Sequence, residues 1–389
     1  MSLRYLTAGE SHGPALNAIL EGMPAGLPLD ETLIAADLAR RQTGTGAGDR
    51  MAIEHDRAQI LAGVMEGVTT GAPIALQIAN KDHANWKGKA VPAYTTPRPG
   101  HADLAAAVKY GYADIRPSLE RASARETAAR VAVGAVCRAF LNAFGVTVGG
   151  YVSGIGGEVA HLEGLSFTDR LVRARSSEVL CPDPQAASRI TEAIEKARPA
   201  GETLGGIIEV VALGLPVGLG SHVNADRRLD ARLAKAVLGV PAIKGVEIGD
   251  AFANADKPGT KVHDAILPGD DGFLRNTNAC GGIEGGISNG QPIWLRAAMK
   301  PIPTTRKGQN TVDLATGQPA LTFYERSDVC PVPRAVVVLE AVAAIVLAEA
   351  LMEKLGGDSL AEMKPRFETL RRATLDCVRM SDKPHVFWP

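Results

Sequence analysis

The sequence predicts a protein of the mixed α/β (α+β) class in which a helical layer lies between two mostly antiparallel sheets. Residues 125–144 and 334–355 are apolar on nearly all sides, which is typical of helices buried within a core. Strand-rich sequence with short turns surrounds each of them, and short turns favour antiparallel pairing. One buried helix in each strand-rich half therefore indicates two sheets with helices between them.

The first half of the chain predicts strands, one capped helix and two irregular loops. Asp30 can cap a helix over residues 30–40, which places Leu33, Ile34 and Leu38 on one face. A glycine-rich loop covers residues 43–50, and a polar Pro/Gly-rich loop covers 80–100. Residues 43–48 and 80–100 are candidate lids, because long unpatterned loops are often functional. The predicted strands cover residues 2–7, 15–21, 50–54, 58–64 and 74–79.

The second half repeats the order and turn chemistry of the first. Leu215-Pro216-Val217-Gly218-Leu219 follows a strand as Met23-Pro24-Ala25-Gly26-Leu27 does, and each half closes with a long apolar helix. We interpret this as an internal duplication, with chance similarity of strand–turn–helix units as the alternative. The chain is predicted to be a single domain, residues 1–389, with halves at 1–145 and 200–356. Residues 184–197 predict a surface helix, and 357–389 a charged helix, interrupted at Pro365, and a tail.

The bulk composition excludes several functional classes. The chain has 389 residues, 46% hydrophobic and 22% charged, with a net charge of -1, so we expect no nucleic-acid partner. Its most apolar stretch, residues 335–351, is interrupted by Glu340 and Glu349, which indicates a core helix and no membrane partner. The five cysteines are widely spaced, without metal-ligand spacing, so we expect no metal site. The first residues carry no apolar targeting segment, which predicts a cytoplasmic protein.

Two histidines lie in turns of small residues where an imidazole can approach a ligand. His12 lies in Gly9-Glu10-Ser11-His12-Gly13, which matches the G-x-S-x-G pattern but is followed by a predicted strand, so a serine nucleophile is not expected. His101 follows Pro-Arg-Pro-Gly. Each alone could be a turn histidine bonded to the backbone. Together they are candidate general acids, because imidazole titrates near neutral pH.

Arginines beside glycine, proline or serine give a firmer indication of the ligand. Each alone could be solvated or salt-bridged, but as a group they suit phosphate and carboxylate. The stiff segment Lys300-Pro301-Ile302-Pro303-Thr304 and the glycines at 281–286 allow close backbone contact with a ring or phosphate. No dinucleotide fingerprint or P-loop is present. The arginines are Arg40, Arg41, Arg50, Arg98, Arg121, Arg125 and Arg326.

At this point five motifs, in order along residues 3–355, resemble those of chorismate synthases. The resemblance implies a β-α-β sandwich, a homotetramer, and 1,4-elimination of phosphate from 5-enolpyruvylshikimate 3-phosphate, without net redox change. It also implies reduced FMN as cofactor, with NADPH as a candidate reductant. The motifs are Gly9-Glu10-Ser11-His12-Gly13-Pro14, Arg98-Pro99-Gly100-His101-Ala102-Asp103, Ser123-Ala124-Arg125-Glu126-Thr127, Gly285-Gly286-Ile287-Ser288-Asn289-Gly290 and Lys300-Pro301-Ile302-Pro303-Thr304.

The resemblance assigns a role to each matching residue. His12 would assist phosphate departure, His101 would protonate reduced flavin, and Asp328 would relay a proton at flavin N5 as the C6 hydrogen leaves. Residues toward the substrate would be Ser11, Arg41, Arg50, Arg98, Arg125 and Arg326. Contacts to FMN would come from Arg121, Ala122, Ser123, Pro241, Ala242, Gly285, Lys300, Pro301, Ile302, Pro303, Thr304 and Arg326.

Two motifs depart from the family pattern. Thr45 and Ala47 stand where the family commonly has Tyr and Arg, which removes an expected cation, and Ala122 replaces a serine. None of these is a proposed proton-transfer group, so we expect an active enzyme. Two other readings stay open: a flavin oxidoreductase that consumes its reductant stoichiometrically, and a non-catalytic anion-binding scaffold.

Overall fold

The structure, a computed structural model, describes residues 3–46, 55–270, 272–324 and 327–388. Its strands are β1 (Arg4–Ala8), β2 (Ala15–Glu21), β3 (Ala58–Ala62), β4 (Val64–Met65), β5 (Val68–Thr69), β6 (Ile74–Ala79), β7 (Thr147–Ile155), β8 (Glu158–Val159), β9 (Gly206–Leu213), β10 (Ile243–Ile248), β11 (Ile266–Gly269), β12 (Gly272–Arg275), β13 (Ile283–Glu284), β14 (Ile287–Ser288), β15 (Ile293–Met299), β16 (Asn310–Val312) and β17 (Pro319–Leu321). Its helices are α1 (Glu31–Gln42), α2 (His83–Trp86), α3 (Asp103–Tyr110), α4 (Arg116–Arg121), α5 (Thr127–Asn142), α6 (Phe167–Arg175), α7 (Pro184–Ala200), α8 (Leu229–Leu238), α9 (Ala251–Ala255), α10 (Val332–Leu355), α11 (Leu360–Glu368) and α12 (Leu375–Val378).

Two larger sheets enclose the predicted helical layer. One has the strand order β1-β2-β6-β3 and the other β10-β15-β9-β7-β8. Every pairing within them is antiparallel. Helix α5 packs on β2 and β6, α10 packs on β7 and β9, and the two helices pack on each other. The predicted class and layer arrangement are confirmed.

Small side chains let the two central helices approach closely. A Cβ atom on Gly134 of α5 would overlap the Cβ of Ala341 of α10, so glycine is required at this crossing. Helix α10 is long and apolar enough to cross a membrane by composition, but 94% of its most apolar window is buried inside the protein. It is therefore the central core helix predicted from the sequence.

Four strands in each sheet share one order, as a duplication would predict. Matching α1 with α8 and α5 with α10 relates β1-β2-β6-β3 to β7-β9-β15-β10, so both sheets have the same topology. Strand β7 takes the place of β1 and begins at Thr147, directly after the first half. The predicted start of the second half at residue 200 therefore omits one strand, because α6 and α7 separate β7 from β9.

Some local predictions were wrong. The helix predicted to be interrupted at Pro365 runs through it as α11, begins with a capping box between Ser359 and Glu362, and ends at Glu368. Within the loop predicted at 80–100, residues 83–86 form the short helix α2. Helices α3 and α4 were not predicted, because their short, alanine- or proline-containing segments have no marked apolar period.

Candidate active site

The first turns of the two central helices meet at one edge of the sandwich. Arg41, near the end of α1, donates from Nε to Oγ1 of Thr127, the first residue of α5, at 3.0 Å. Arg334, in the first turn of α10, donates from Nε to the carbonyl of Arg41 at 3.0 Å. Since helix N-termini carry partial positive charge, two of them beside buried guanidinium groups form a strongly electropositive position.

Three arginines at this position are only partly balanced by carboxylates. Arg125 is 4% exposed and donates from Nη1 to both oxygens of Asp56 at 2.6 Å. The same Asp56 lies 3.6 Å from Nη1 of Arg41, and Asp328 accepts a hydrogen bond from Arg334 at 2.5 Å. Burial, with the nearby charge of Arg334, lowers the pKa of Arg41 to about 9. Burial disfavours the charged guanidinium, and a bound anion would stabilise it.

His12 is held in place from several sides. Its Nδ1 lies 2.6 Å from Oε1 of Glu120, and its backbone N–H donates to Oε2 of Glu120 at 2.7 Å. The ring of Trp86 lies 4.5 Å from the imidazole ring, centroid to centroid. The side chain is 19% exposed, so it remains accessible to a small ligand.

The turn that contains His12, residues 9–13, is hydrogen-bonded to side chains of the arginine cluster. Asn80 donates to the carbonyls of Glu10 and Gly13, at 3.0 and 2.8 Å, and accepts from Nε of Arg125 at 2.9 Å. Ser123, which caps the 3-10 turn before α5, donates to the hydroxyl of Ser11 at 3.2 Å. The predicted residues Ser11, His12, Ser123 and Arg125 therefore belong to one connected cluster.

His101 forms a second imidazole–carboxylate pair. Its Nδ1 lies 2.5 Å from Oδ1 of the buried Asp103, and Asp103 also accepts from Nε and Nη2 of Arg98, at 2.8 and 3.0 Å. Burial raises the pKa of Asp103, but the hydrogen bonds from His101 and Arg98 lower it by more. The pKa of Asp103 therefore lies well below its usual range. Arg98 Nη1 reaches Oγ1 of Thr304 at 3.3 Å, which joins this pair to the second half of the chain.

The segment 300–304 runs beside these groups. Lys300 donates from Nζ to the carbonyl of Gly100 and from its backbone N–H to the carbonyl of Ala242, the latter at 3.0 Å. Ser327 donates to the carbonyl of Thr304 at 2.9 Å. An open cleft of about 490 Å³ follows this segment, lined among others by Pro99, Lys300, Pro301, Ile302 and Pro303.

The remaining residues predicted to contact FMN lie at different places in the fold. Arg121 donates to the carbonyl and hydroxyl of Thr7, both at 3.1 Å, and Ala122 ends α4. Gly285 lies at the turn between β13 and β14, where the neighbouring Gly286 accepts from Leu229 at the start of α8. Pro241 and Ala242 follow the other end of α8, about 15 Å along its axis, so the described contacts do not bring Gly285 to the cluster.

Two predicted residues, Arg50 and Arg326, and the departure at Ala47 lie outside the described residues. Thr45, the other departure in that loop, donates to a carboxylate oxygen of Glu178 at 3.3 Å.

The residues that orient the predicted side chains were not identified from the sequence. These partners are mostly carboxylates far away in sequence, so periodicity and local motifs could not indicate them. Asp103 is the exception, because it lies two residues after His101 within the quoted motif. The missed residues are Asp56, Asn80, Asp103, Glu120 and Arg334.

Fold and side chains together define a class of protein, an α+β scaffold in which buried arginines and an imidazole cluster beside two helix N-termini. Comparisons with known proteins make this specific. The family model for chorismate synthase matches residues 3–352, and the chain belongs to the chorismate synthase family.

Individual relatives match over nearly their whole length. The chain is 54% identical over 384 residues to a chorismate synthase of Geobacter metallireducens, covering 94% of this chain and 98% of the relative. It is 54% identical over 375 residues to one of Desulforamulus reducens, covering 94% and 97%. A crystal structure of a chorismate synthase superposes with a TM-score of 0.78 at 45% identity, covering 95% of this chain and 97% of the other.

Proposed function

We propose that the chain is a chorismate synthase, a carbon–oxygen lyase that eliminates phosphate from 5-enolpyruvylshikimate 3-phosphate in an anti-1,4 sense. The product is chorismate, the last common intermediate of aromatic amino acid synthesis through the shikimate pathway. The observation that carries the proposal is the meeting of two helix N-termini beside buried arginines, in a chain of this family. The pairing of His12 and His101 each with a carboxylate supports it further.

The arginines are assigned to the anionic groups of the substrate. Nη1 of Arg41 is buried without a hydrogen-bond partner among the described residues, so it can donate to a phosphate or carboxylate oxygen. Arg98 and Arg125 are already oriented by Asp103 and Asp56. By resemblance, Arg50 and Arg326 complete this group, and Ser11 adds a hydroxyl. Positive charge fixed before the reaction stabilises the phosphate as its charge develops.

Proton transfer is assigned to His12 and Asp328. In the elimination, the C–O bond to phosphate breaks with its electron pair, a proton leaves C6, and a new double bond forms. His12 is assigned to protonate the departing phosphate. Asp328, oriented by Arg334, is assigned to relay a proton on the flavin side as the C6 hydrogen leaves. His101, fixed by Asp103, is assigned to hold a proton on the flavin side.

Reduced FMN is the cofactor that we assign to the cleft beside residues 300–304. Extended backbone and the Lys300 side chain offer donors of the kind that a flavin ring and its phosphate require, so the residues present fit the group. Arg121, Ala122 and Ser123 are assigned to FMN by resemblance. Ala242 and Pro241 border the same segment, and Gly285 is assigned by resemblance. When bound, reduced flavin supplies transient electron density to the allylic system. NADPH as reductant, a homotetramer and a cytoplasmic location belong to the same proposal.

An anaerobic assay tests the function. Purified protein with 5-enolpyruvylshikimate 3-phosphate and catalytic amounts of chemically reduced FMN should release phosphate and chorismate in equal amounts over many turnovers. Stoichiometric consumption of reduced flavin would favour an oxidoreductase, and no product would contradict the proposal. His12→Ala and His101→Ala should each reduce turnover about 10²-fold or more. Normal turnover by both variants would contradict their assignment.

A further inference from the structure

We propose that Glu120 is a positioning residue for the reaction, which holds His12 with Nδ1 toward Glu120 and Nε2 toward the departing phosphate. This inference rests on the proposed function, because it assigns a role through His12. Glu120 itself lies in the last turn of α4 and is assigned no contact with substrate or flavin.

Glu120 is hydrogen-bonded to the turn that contains His12 through both carboxylate oxygens and its backbone carbonyl. Oε1 lies 2.6 Å from Nδ1 of the imidazole, and Oε2 accepts the backbone N–H of His12 at 2.7 Å. The carbonyl of Glu120 accepts the backbone N–H of Ser11 at 3.2 Å. These three contacts fix both the backbone and the ring, so the direction of the imidazole is determined before a ligand binds.

Further contacts restrict the imidazole and its turn. The tilted ring of Trp86 packs against the imidazole, and Nδ1 of His83 lies 2.9 Å from the carbonyl of His12. Among the described residues, Nε2 of His12 has no hydrogen-bond partner, whereas Nδ1 is engaged. Nε2 is therefore the nitrogen that can deliver a proton to a ligand.

The charge of Glu120 distinguishes it from the carboxylate beside the other imidazole. Asp103 divides its oxygens between His101 and the guanidinium of Arg98, so its negative charge is already compensated. Among the described residues, the carboxylate of Glu120 accepts hydrogen bonds from His12 alone, and Arg116 acts on it only through its charge. Burial raises the pKa of Glu120, but the hydrogen bonds from His12 lower it by more. The carboxylate of Glu120 is therefore ionised at neutral pH.

A glutamine cannot reproduce this arrangement. The carboxylate accepts two N–H groups at once, whereas an amide offers one oxygen and one N–H2 group, so one of the two donors loses its acceptor. In Glu120→Gln the neutral imidazole is free to carry its proton on Nε2 and to rotate. We expect kcat to fall between about tenfold and 10⁴-fold, as when an orienting carboxylate is neutralised beside a catalytic histidine. KM for the substrate should stay within about threefold, because the arginine cluster is unchanged.

Nitrogen NMR of the ring gives a readout that does not depend on activity. Protein labelled with ¹⁵N-histidine contains eight histidines, and the signal absent from His12→Asn identifies His12. In the wild type we expect the proton on Nδ1, with Nε2 unprotonated when the ring is neutral. Wild-type protein with neutral His12 protonated on Nε2 would overturn the proposal, even if Glu120→Gln failed to fold.

Glu163→Gln is the matched control, because Glu163 is exposed and lies outside the site. It should keep wild-type kcat, KM and ring signals. A Glu120→Gln variant that folds and keeps wild-type kcat would also overturn the proposal. If the wild type itself made no chorismate, the proposed function would fail, whereas an active wild type with an unaffected Glu120→Gln would remove this inference alone.

Discussion

The N-termini of α5 and α10 occupy equivalent places in the repeated elements, yet they carry different chemistry. Before α5, Ser123 and Arg125 present hydroxyl and guanidinium groups, and Arg125 is 4% exposed and held by Asp56. Before α10, Asp328 presents a carboxylate that is 18% exposed and held by Arg334. The two helix ends are therefore alike in polarity, but one is surrounded by guanidinium and hydroxyl groups and the other presents a carboxylate.

The difference in burial indicates how each end can be disrupted. At the α5 end the charges are buried and mutually dependent, so a substitution should affect folding and binding together. At the α10 end the carboxylate is closer to solvent, so a substitution should affect the chemistry more than the fold. The following predictions test this distinction.

The largest effect is expected for Arg125→Ala. It leaves Asp56 buried with Arg41 at 3.6 Å, so the free energy of unfolding should fall by about 3–5 kcal/mol. Turnover of the folded fraction should fall about 10²-fold or more. Urea denaturation and the anaerobic assay measure the two effects. Arg198→Ala, an exposed arginine in α7, should change stability by less than about 0.5 kcal/mol. Equal stabilities of both variants would contradict the proposed role of the buried pair.

Asp328→Asn should separate chemistry from folding at the α10 end. Because the carboxylate lies near solvent, stability should fall by about 1 kcal/mol or less. Turnover should fall about 10²–10⁴-fold, because an amide cannot take up and relay the proton assigned to Asp328. Asp256→Asn, an exposed carboxylate beyond α9, serves as control and should match the wild type in both. Turnover of Asp328→Asn within twofold of wild type would remove Asp328 from the mechanism.

The sequence predicted the layers well because they depend on local patterns. Strands β2 and β6 have the predicted bounds, 15–21 and 74–79, and both apolar helices form the core. The candidate residues were found through motifs, but their partners were not. Glu120 lies 108 residues from His12, and Asp56 lies 69 residues from Arg125. Such contacts depend on how the sheets and helices pack, so local sequence patterns do not predict them.

A third prediction concerns acid stability at the His101 pair. The pKa of Asp103 is lowered in the folded state, so its contribution to stability is present above about pH 4, the unfolded value, and is lost as pH falls toward the folded pKa. Asp103→Asn should be about 1.5–3 kcal/mol less stable than wild type at pH 7. The difference should shrink steadily below about pH 4. Urea titrations between pH 7 and pH 3 measure it, and a difference independent of pH would contradict the ion-pair explanation.

The smallest effect is expected for Arg121, an exposed residue in the segment that precedes α5. Arg121 is 45% exposed and binds Thr7 at one end of β1, where we assign it to FMN. Arg121→Ala should weaken binding of reduced FMN by about tenfold or less, because one partly solvated hydrogen-bonding group contributes about 0.5–1.5 kcal/mol. Arg4, 74% exposed at the other end of the same strand, gives the control Arg4→Ala, which should bind FMN as the wild type does. Anaerobic fluorescence titration measures both affinities. Equal affinities would place Arg121 outside the flavin site, whereas unfolding of Arg121→Ala would show that this segment is as structurally coupled as the buried Arg125–Asp56 pair.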